Sequence, residues 1–393
     1  MVPNGWSVIK LGDILTLSSG DTKPTDLQKE CSDTTPYPVY GGNNIMGYSS
    51  QKNSSSPVIL IGRVGEYCGV TRYIDKECWI TDNALYTKTV SPEINKEYLV
   101  SKLKKFDLSR LRNKGGQPLV SQKPIYAVKL PIPPLPEQRK IAKILSTWDK
   151  AIATAERLID ASQQQKKALM QQLLTGKKRL LNPETGKVFE GEWEEVKLGD
   201  VLTKISNGLT YDSKATQGLP VSRIETISTG KVNHAKVGYA PNDEKTIKFK
   251  LQFGDILYSH INSLEHIGRV AYFLDDKDLY HGMNLLLLRA SKDADSKFIY
   301  FMLSSSLGKE FARSHAKSAV NQASISTTDL KGFKAKLPGL GEQQKIASVL
   351  TGADKEIELL ETKLAHLKEE KKALMQQLLT GKRRVKVETT EAA

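Results

Sequence analysis

Apolar positions along this chain follow two rhythms that alternate. From Trp6 to about Ile132, short apolar runs such as Val58–Ile61 are cut by turn residues. The stretches Tyr40-Gly41-Gly42-Asn43-Asn44 and Gly62-Arg63-Val64-Gly65 are examples, and the pattern predicts a strand-rich α+β domain. One helix is predicted within it at Lys96–Phe106, where Leu99 and Leu103 supply an apolar face and lysines a wet one. Pro131, Pro133, Pro134 and Pro136 then force an extended lead-in. Near Glu137 the rhythm changes. Ile141, Leu145, Trp148, Ile152, Ala155 and Ile159 recur in steps of four and three, turn polar at Ser162 and Lys166, and resume at Leu169 and Leu173. That is the heptad spacing of a coiled-coil seam. Gly176 is the expected stop, with Lys177, Lys178 and Arg179 at the carbonyl end.

The strand-and-turn style returns from Trp193 to about Leu337, with Gly254–Tyr258 and Leu285–Leu288, and a helix predicted at Phe298–Leu303 continuing towards Phe311. A second seam follows through Ile346, Leu350, Ala353, Ile357, Leu360, Leu364, Leu367, Leu374 and Leu378, interrupted by Lys371 and stopping at Gly381. Each helix should run roughly forty residues, or ~60 Å. The tail beyond Arg384 turns acidic and small and reads as disordered.

The alternation is a duplication. KKALMQQLLTGK occurs at Lys166–Lys177 and again at Lys371–Lys382, a repeat too long for chance. Upstream, PLPEQRKIAKIL lies over GLGEQQKIASVL, Gln117 over Gln322 and Ser121 over Ser326. WSVIKLGDIL from Trp6 answers WEEVKLGDVL from Trp193, at a spacing that puts an insertion of eighteen residues in the second half. The expected order is a globule over 1–132, a helix over 133–181, a globule over 182–337, a helix over 338–384 and a disordered tail over 385–393. If the helices pair antiparallel, the globules sit at opposite ends of a rod related by a pseudo-two-fold axis. The C-terminal helix end then lies near the N-terminus.

Charge narrows the class of partner. The net charge of +14 points to a polyanion, with nucleic acid the commonest. Cys31, Cys68 and Cys78 are odd in number and lack a C-x-x-C, which reads as reduced thiols and neither a disulfide scaffold nor a zinc site. No signal peptide or spanning apolar run is visible, so a soluble cytoplasmic protein without a membrane partner is expected. There is no G-x-x-x-x-G-K-[ST], no nucleotide-binding Gly-rich turn and no N/D-P-P-Y/F clamp. Glu195-Val196-Lys197 with Glu184 faintly resembles a metal-nuclease pattern, but its first-half partner Val8-Ile9-Lys10 has no acid. His260 and His266 likewise lack first-half counterparts. No catalytic residue or metal ligand is assigned.

Residues suited to nucleic acid are better represented. Arg and Lys neutralise phosphates, and Asn, Gln and Arg read base edges bidentately. The first half offers Asn43, Asn44, Arg63, Lys114 and Gln117, with Gly42 allowing close backbone approach. The second offers Asn207, Arg223, His260, Asn262, Arg269 and Gln322.

The W-x-x-x-K-L-G-D fronts, the Glu-Gln-x-x-Ile-Ala starts at Glu137 and Glu342, and the two LMQQLLTGK endings resemble the DNA-specificity subunit of type I restriction-modification systems. Tyr40-Gly41-Gly42-Asn43 and Ile61-Gly62-Arg63-Val64-Gly65 are similar to phrases of that family's reading domains, whereas Gly339 and Gly341 depart from Pro134 and Pro136 of the first copy. The resemblance implies two α/β target-recognition domains, each reading half of a split double-stranded DNA site, with the paired helices as a ruler. It implies a non-catalytic subunit that docks two methyltransferase subunits, and restriction subunits through them. Glu137, Gln138, Gln171, Gln172, Glu342, Gln343, Gln376 and Gln377 are the expected docking residues. S-adenosylmethionine, ATP and magnesium would belong to those partners, leaving no cofactor here. Two other readings stay open: a solitary bipartite DNA-binding adaptor, and a coiled-coil scaffold whose basic globules bind acidic proteins.

Overall fold

The computed structural model describes residues 2–55, 57–113, 115–274, 276–319 and 322–387. Two 39-residue helices, Leu135–Leu173 and Leu340–Leu378, dominate it. Each starts two residues ahead of its Glu-Gln pair. The second copy starts at the equivalent leucine although glycines replace the prolines around it. Each also stops where the glycine predicts. Gly176 and Gly381 adopt φ of 70° and 72°. Lys178 N donates to Gln172 O and Arg383 N to Gln377 O, both at 3.2 Å, so the chain turns back over the last helical carbonyls after each glycine.

The chain divides into two compact units, one formed by 1–157 with 362–393 and one by 158–361. Each unit therefore holds the start of one long helix and the end of the other. In the first, Lys371 pairs with Asp149, and Lys368 with Glu156 at 2.8 Å, so the two segments run in opposite directions. In the second, Lys166 pairs with Asp354, the same pair shifted by the repeat. Buried seam positions include Ile141, Leu145, Ala155, Ile159, Ile346, Leu350 and Leu378, whereas Ile357, Leu360, Leu364 and Leu367 are only half-buried.

The first unit has a four-stranded antiparallel sheet in the order Leu15–Ser19, Ala84–Val90, Val58–Gly62, Thr71–Ile74. Its all-buried strand Val58–Gly62 is the apolar run seen in the sequence. A three-stranded sheet, Ile45–Ser49, Tyr37–Tyr40 and Trp79–Ile80, stands beside it, and Ser7–Lys10 pairs with Lys129–Ile132. The second unit repeats the four-strand order as Leu202–Asn207, Leu286–Ala290, Ile256–Tyr258, Val270–Tyr272. Glu194–Lys197 pairs with Lys334–Leu337 in the same way. Its smaller sheets differ: Leu219–Val221 with Gly238–Ala240, and Ile261–Asn262 with Gln322–Ser324, which also pairs with Lys317–Ala319.

The predicted helix Lys96–Phe106 is present with those bounds, capped by Asn95. Its counterpart is not the single helix expected. It is two, Ser296–Ser304 and Ser306–His315, because Ser305 is extended (φ −72°, ψ 177°) and its hydroxyl accepts from Leu307 N. The helix caps Asn95 and Asp295 lie 200 positions apart, against 187 for Trp6 and Trp193 and 205 for Ser121 and Ser326. The insertion is thus split, thirteen residues before the cap and five after it. Of the tail, 385–387 are described and 388–393 lie outside the described residues.

Candidate nucleic-acid interface

Because the four strands alternate in direction, the end of Leu15–Ser19, the start of Ala84–Val90, the end of Val58–Gly62 and the start of Thr71–Ile74 share one end of the first sheet. The predicted residues gather there. Arg63 follows directly on Gly62; its Nη1 donates to Ser19 Oγ at 2.9 Å, and its backbone N donates to Asn83 O at 2.9 Å. Gly65 N donates to Pro118 O and Val120 N to Arg63 O, both at 2.9 Å, which fastens the loop of Gln117 alongside. Asn113 shapes that loop, donating to Gly115 O and Gln117 O and accepting from Leu119 N. Gly42 packs so closely that a Cβ would stand 2.9 Å from Asn83 O, so this turn has room for glycine alone. Asn44 and Gln117 are exposed. Asn43 is exposed too, but its Oδ1 accepts from Arg72 Nη2 at 3.2 Å. Arg72 was not legible as a site residue, since strand position alone does not mark it; its partial burial pushes its pKa down. Lys114 lies outside the described residues.

The equivalent sheet end of the second unit holds most of the second group. Leu209 N donates to His281 O at 2.8 Å and Gly282 N to Ser222 Oγ at 3.0 Å, so one segment carries both the Asn207 turn and the Arg223 turn. Ser259 N donates to Arg269 O at 2.8 Å, Ile325 N donates to His260 O at 2.9 Å, and Asn262 pairs with Ala323 beside Gln322. Asn207 and Gln322 are exposed. Arg223 lies 3.3 Å from Glu225, and Arg269 donates to Ser228 O and to His266 Nδ1. Two residues are less available than their type suggests. His260 is 9% exposed with Nδ1 unpartnered, and burial pushes its pKa down. Asn262 spends its amide on Ser259 Oγ and Ser263 N.

The expected docking residues divide. Gln171, Gln172, Gln376 and Gln377 are exposed. Glu137, Gln138, Glu342 and Gln343 are not, at 4%, 1%, 2% and 3% exposure, and they close the units from within. Gln138 Oε1 accepts from Asn95 N and Gln343 Oε1 from Asp295 N, both at 2.9 Å, so each glutamine locks a long helix to the cap of a domain helix. Arg384 donates twice to Glu137 and Arg179 twice to Glu342, all at 2.7 Å. Each arginine also donates to the strand lead-in, Arg384 to Asn4 O and Arg179 to Gly191 O. Buried and fully used, these four residues present no face to a partner.

Cys68 and Cys78 are buried, and burial pushes the Cys78 thiol up to about 11, which keeps it protonated and unreactive. Among the described residues no three His, Cys, Asp or Glu side chains are placed to hold a metal, and no helix is long and apolar enough to cross a membrane.

Residues 3–161 and 190–369 match the family model of the type I restriction modification DNA specificity domain. The chain is 42% identical over 202 residues to the putative type I restriction enzyme MjaX specificity subunit of Methanocaldococcus jannaschii, an alignment spanning 50% of this chain and 47% of that one. It is 28% identical to the MjaVIII specificity subunit of the same organism, over 98% of this chain and 94% of the relative. The crystal structure of a type I restriction-modification system S subunit from M. genitalium superposes with a TM-score of 0.68 at 16% identity, covering 96% of this chain and 99% of that one. That likeness is one of fold.

Proposed function

The chain belongs to the type I restriction modification DNA specificity family, and from that premise we propose how its two units act on DNA. Each reads one half of a bipartite, asymmetric duplex site with the polar residues at its sheet end. In the first unit these are Asn44, Arg63 and Gln117, with Asn43 held by Arg72. In the second they are Asn207, Arg223, Arg269 and Gln322. Asn, Gln and Arg are the side chains that pair bidentately with purine edges. Side chains anchored by neighbours, as Arg63 is by Ser19, lose little freedom on binding. The long helices set the gap between half-sites.

One methyltransferase subunit docks on each repeat, on the exposed Gln171-Gln172 and Gln376-Gln377 faces, and restriction subunits join through those. The methyl donor, ATP and magnesium belong to the partners, and the assembly works in the cytoplasm, where chromosomal DNA is. The observation that carries this reading is the duplication of one sheet end, with DNA-reading residue types gathered at both copies. Adenine-methylation mapping in cells expressing the chain with its neighbouring methyltransferase tests it. Two short half-sites at a fixed gap are expected, and Gln117→Ala should relax only one of them. A single continuous motif indifferent to this chain would refute the two-reader scheme.

A further inference from the structure

We propose that the second unit carries a phosphate track leading from its sheet end on to the first long helix, and that this track holds the backbone of the DNA between the half-sites. The inference rests on the bipartite reading above. An open groove of about 910 Å3 lies between the last turns of the first long helix and the helix Ser306–His315, with Lys166, Lys167, Tyr300, Lys309 and Arg313 in its walls. A second hollow of about 360 Å3 shares Tyr300, Lys309 and Arg313 with it and reaches His266 and Arg269 on its other side. The two hollows therefore adjoin across these side chains, one beginning at a candidate reading residue and the other ending on the long helix.

The walls carry five cations, Lys166, Lys167, Arg269, Lys309 and Arg313, against the carboxylates of Glu265 and Glu310. Two of the five are already engaged: Lys166 with Asp354, and Arg269 with Ser228 O and His266. Lys167, Lys309 and Arg313 are exposed and make no ion pair among the described residues. Gln163 adds a neutral donor along the helix side. Unpaired cations on long stems, with few groups rigid enough to read a base, suit phosphate oxygens and carry no sequence preference. A spacer of unspecified sequence offers a protein that chemistry and little else.

In the first unit one lysine stands near the corresponding ion pair. Lys104, on the helix Lys96–Phe106, lies within electrostatic reach of Lys371, Asp149 and Arg72. Lys371 and Asp149 are the repeat-shifted counterparts of Lys166 and Asp354.

The test uses the full chain assembled with its methyltransferase subunits and a duplex bearing the mapped motif, titrated over a series of salt concentrations. Replacing Lys309→Gln and Arg313→Gln together should make the fall of log affinity with log salt shallower by about two, and weaken low-salt binding about tenfold. The methylated motif and thermal midpoint should not change. Lys167→Gln, on an exposed helix position, should take about one from the slope and serves if the double variant does not fold. An unchanged slope in both variants, with wild type binding normally, overturns this inference alone. Lost methyltransferase assembly at an unchanged slope overturns it in favour of an acidic protein surface in the groove. Failure of the wild-type complex to bind any duplex removes the bipartite reading and this inference with it.

Discussion

Arg179 and Arg384 hold equivalent carboxylates, yet they are not equally needed. Glu137 also accepts from Trp6 Nε1 at 3.2 Å, whereas Trp193 Nε1, the counterpart, is buried without a partner. Glu342 therefore depends on Arg179, whose side chain is 25% exposed, while Arg384 is 43% exposed. A buried carboxylate stripped of its cation costs about 3 kcal/mol, and less where another donor remains and water can reach the pair. Arg179→Met is thus expected to destabilise its unit by about 3 kcal/mol, and Arg384→Met by about 1 kcal/mol. Urea unfolding followed by hydrogen exchange in each unit would check this, and the reverse order would mean that the Trp6 bond contributes nothing. The sequence marked Glu137 and Gln138 as important through their repetition but pointed to the wrong use. A repeated word looks alike whether it faces a partner or closes its own fold, and Arg384 sits 247 positions from Glu137.

Elements with a periodic face and a chemical stop were legible in the sequence. Lys96–Phe106 has both, in its leucines and the Asn95 cap, and so have the long helices with their terminal glycines. The break at Ser305 was not, because the apolar pattern runs through it and the hydroxyl that caps the next helix is one serine among several. Register across sheets was equally hidden: the strand order depends on pairings between distant segments, which no local rhythm encodes. The long helices allow a test of their own. The units part at 157/158 and 361/362, within the helices, the first point between the buried Ala155 and Ile159 and the second between the half-buried Leu360 and Leu364. Four residues added at both points lengthen each helix by ~6 Å and nearly keep its phase. The methylated motif should then show a gap wider by one or two base pairs with unchanged half-sites. Altered half-sites at an unchanged gap would disprove the ruler.

At the scale of the molecule, covalent order and spatial order differ. The first copy of the repeated word lies in the second unit and the second copy in the first, because each helix end closes the globule other than the one it left. Trp193 packs on Gly176, where a Cβ would stand 3.3 Å from the ring, and Pro3 and Trp6 pack on Gly381. The near-circular pattern was legible from the two echoes, since a front word following a rear word predicts that they meet. The compositional boundaries near 132 and 337 mark where strands stop, but the compact units part inside the helices, where composition does not change. One consequence is an asymmetry. The second unit is a single stretch, 158–361, whereas the first needs 362–387 returned to it from the far end of the chain. Leu378 and Leu379 are buried in its core, and Lys102 Nζ donates to Leu379 O at 2.5 Å. Burying each leucine is worth about 1.5–3 kcal/mol, a large share of a stability of 5–15 kcal/mol. A 158–361 fragment should therefore melt cooperatively alone. A 1–157 fragment should not, and should recover a cooperative melt when a 362–387 peptide is added in trans. If 1–157 melted as sharply without the peptide as with it, closure by the returning helix would be dispensable, and each recognition domain would owe its fold to its own sheet.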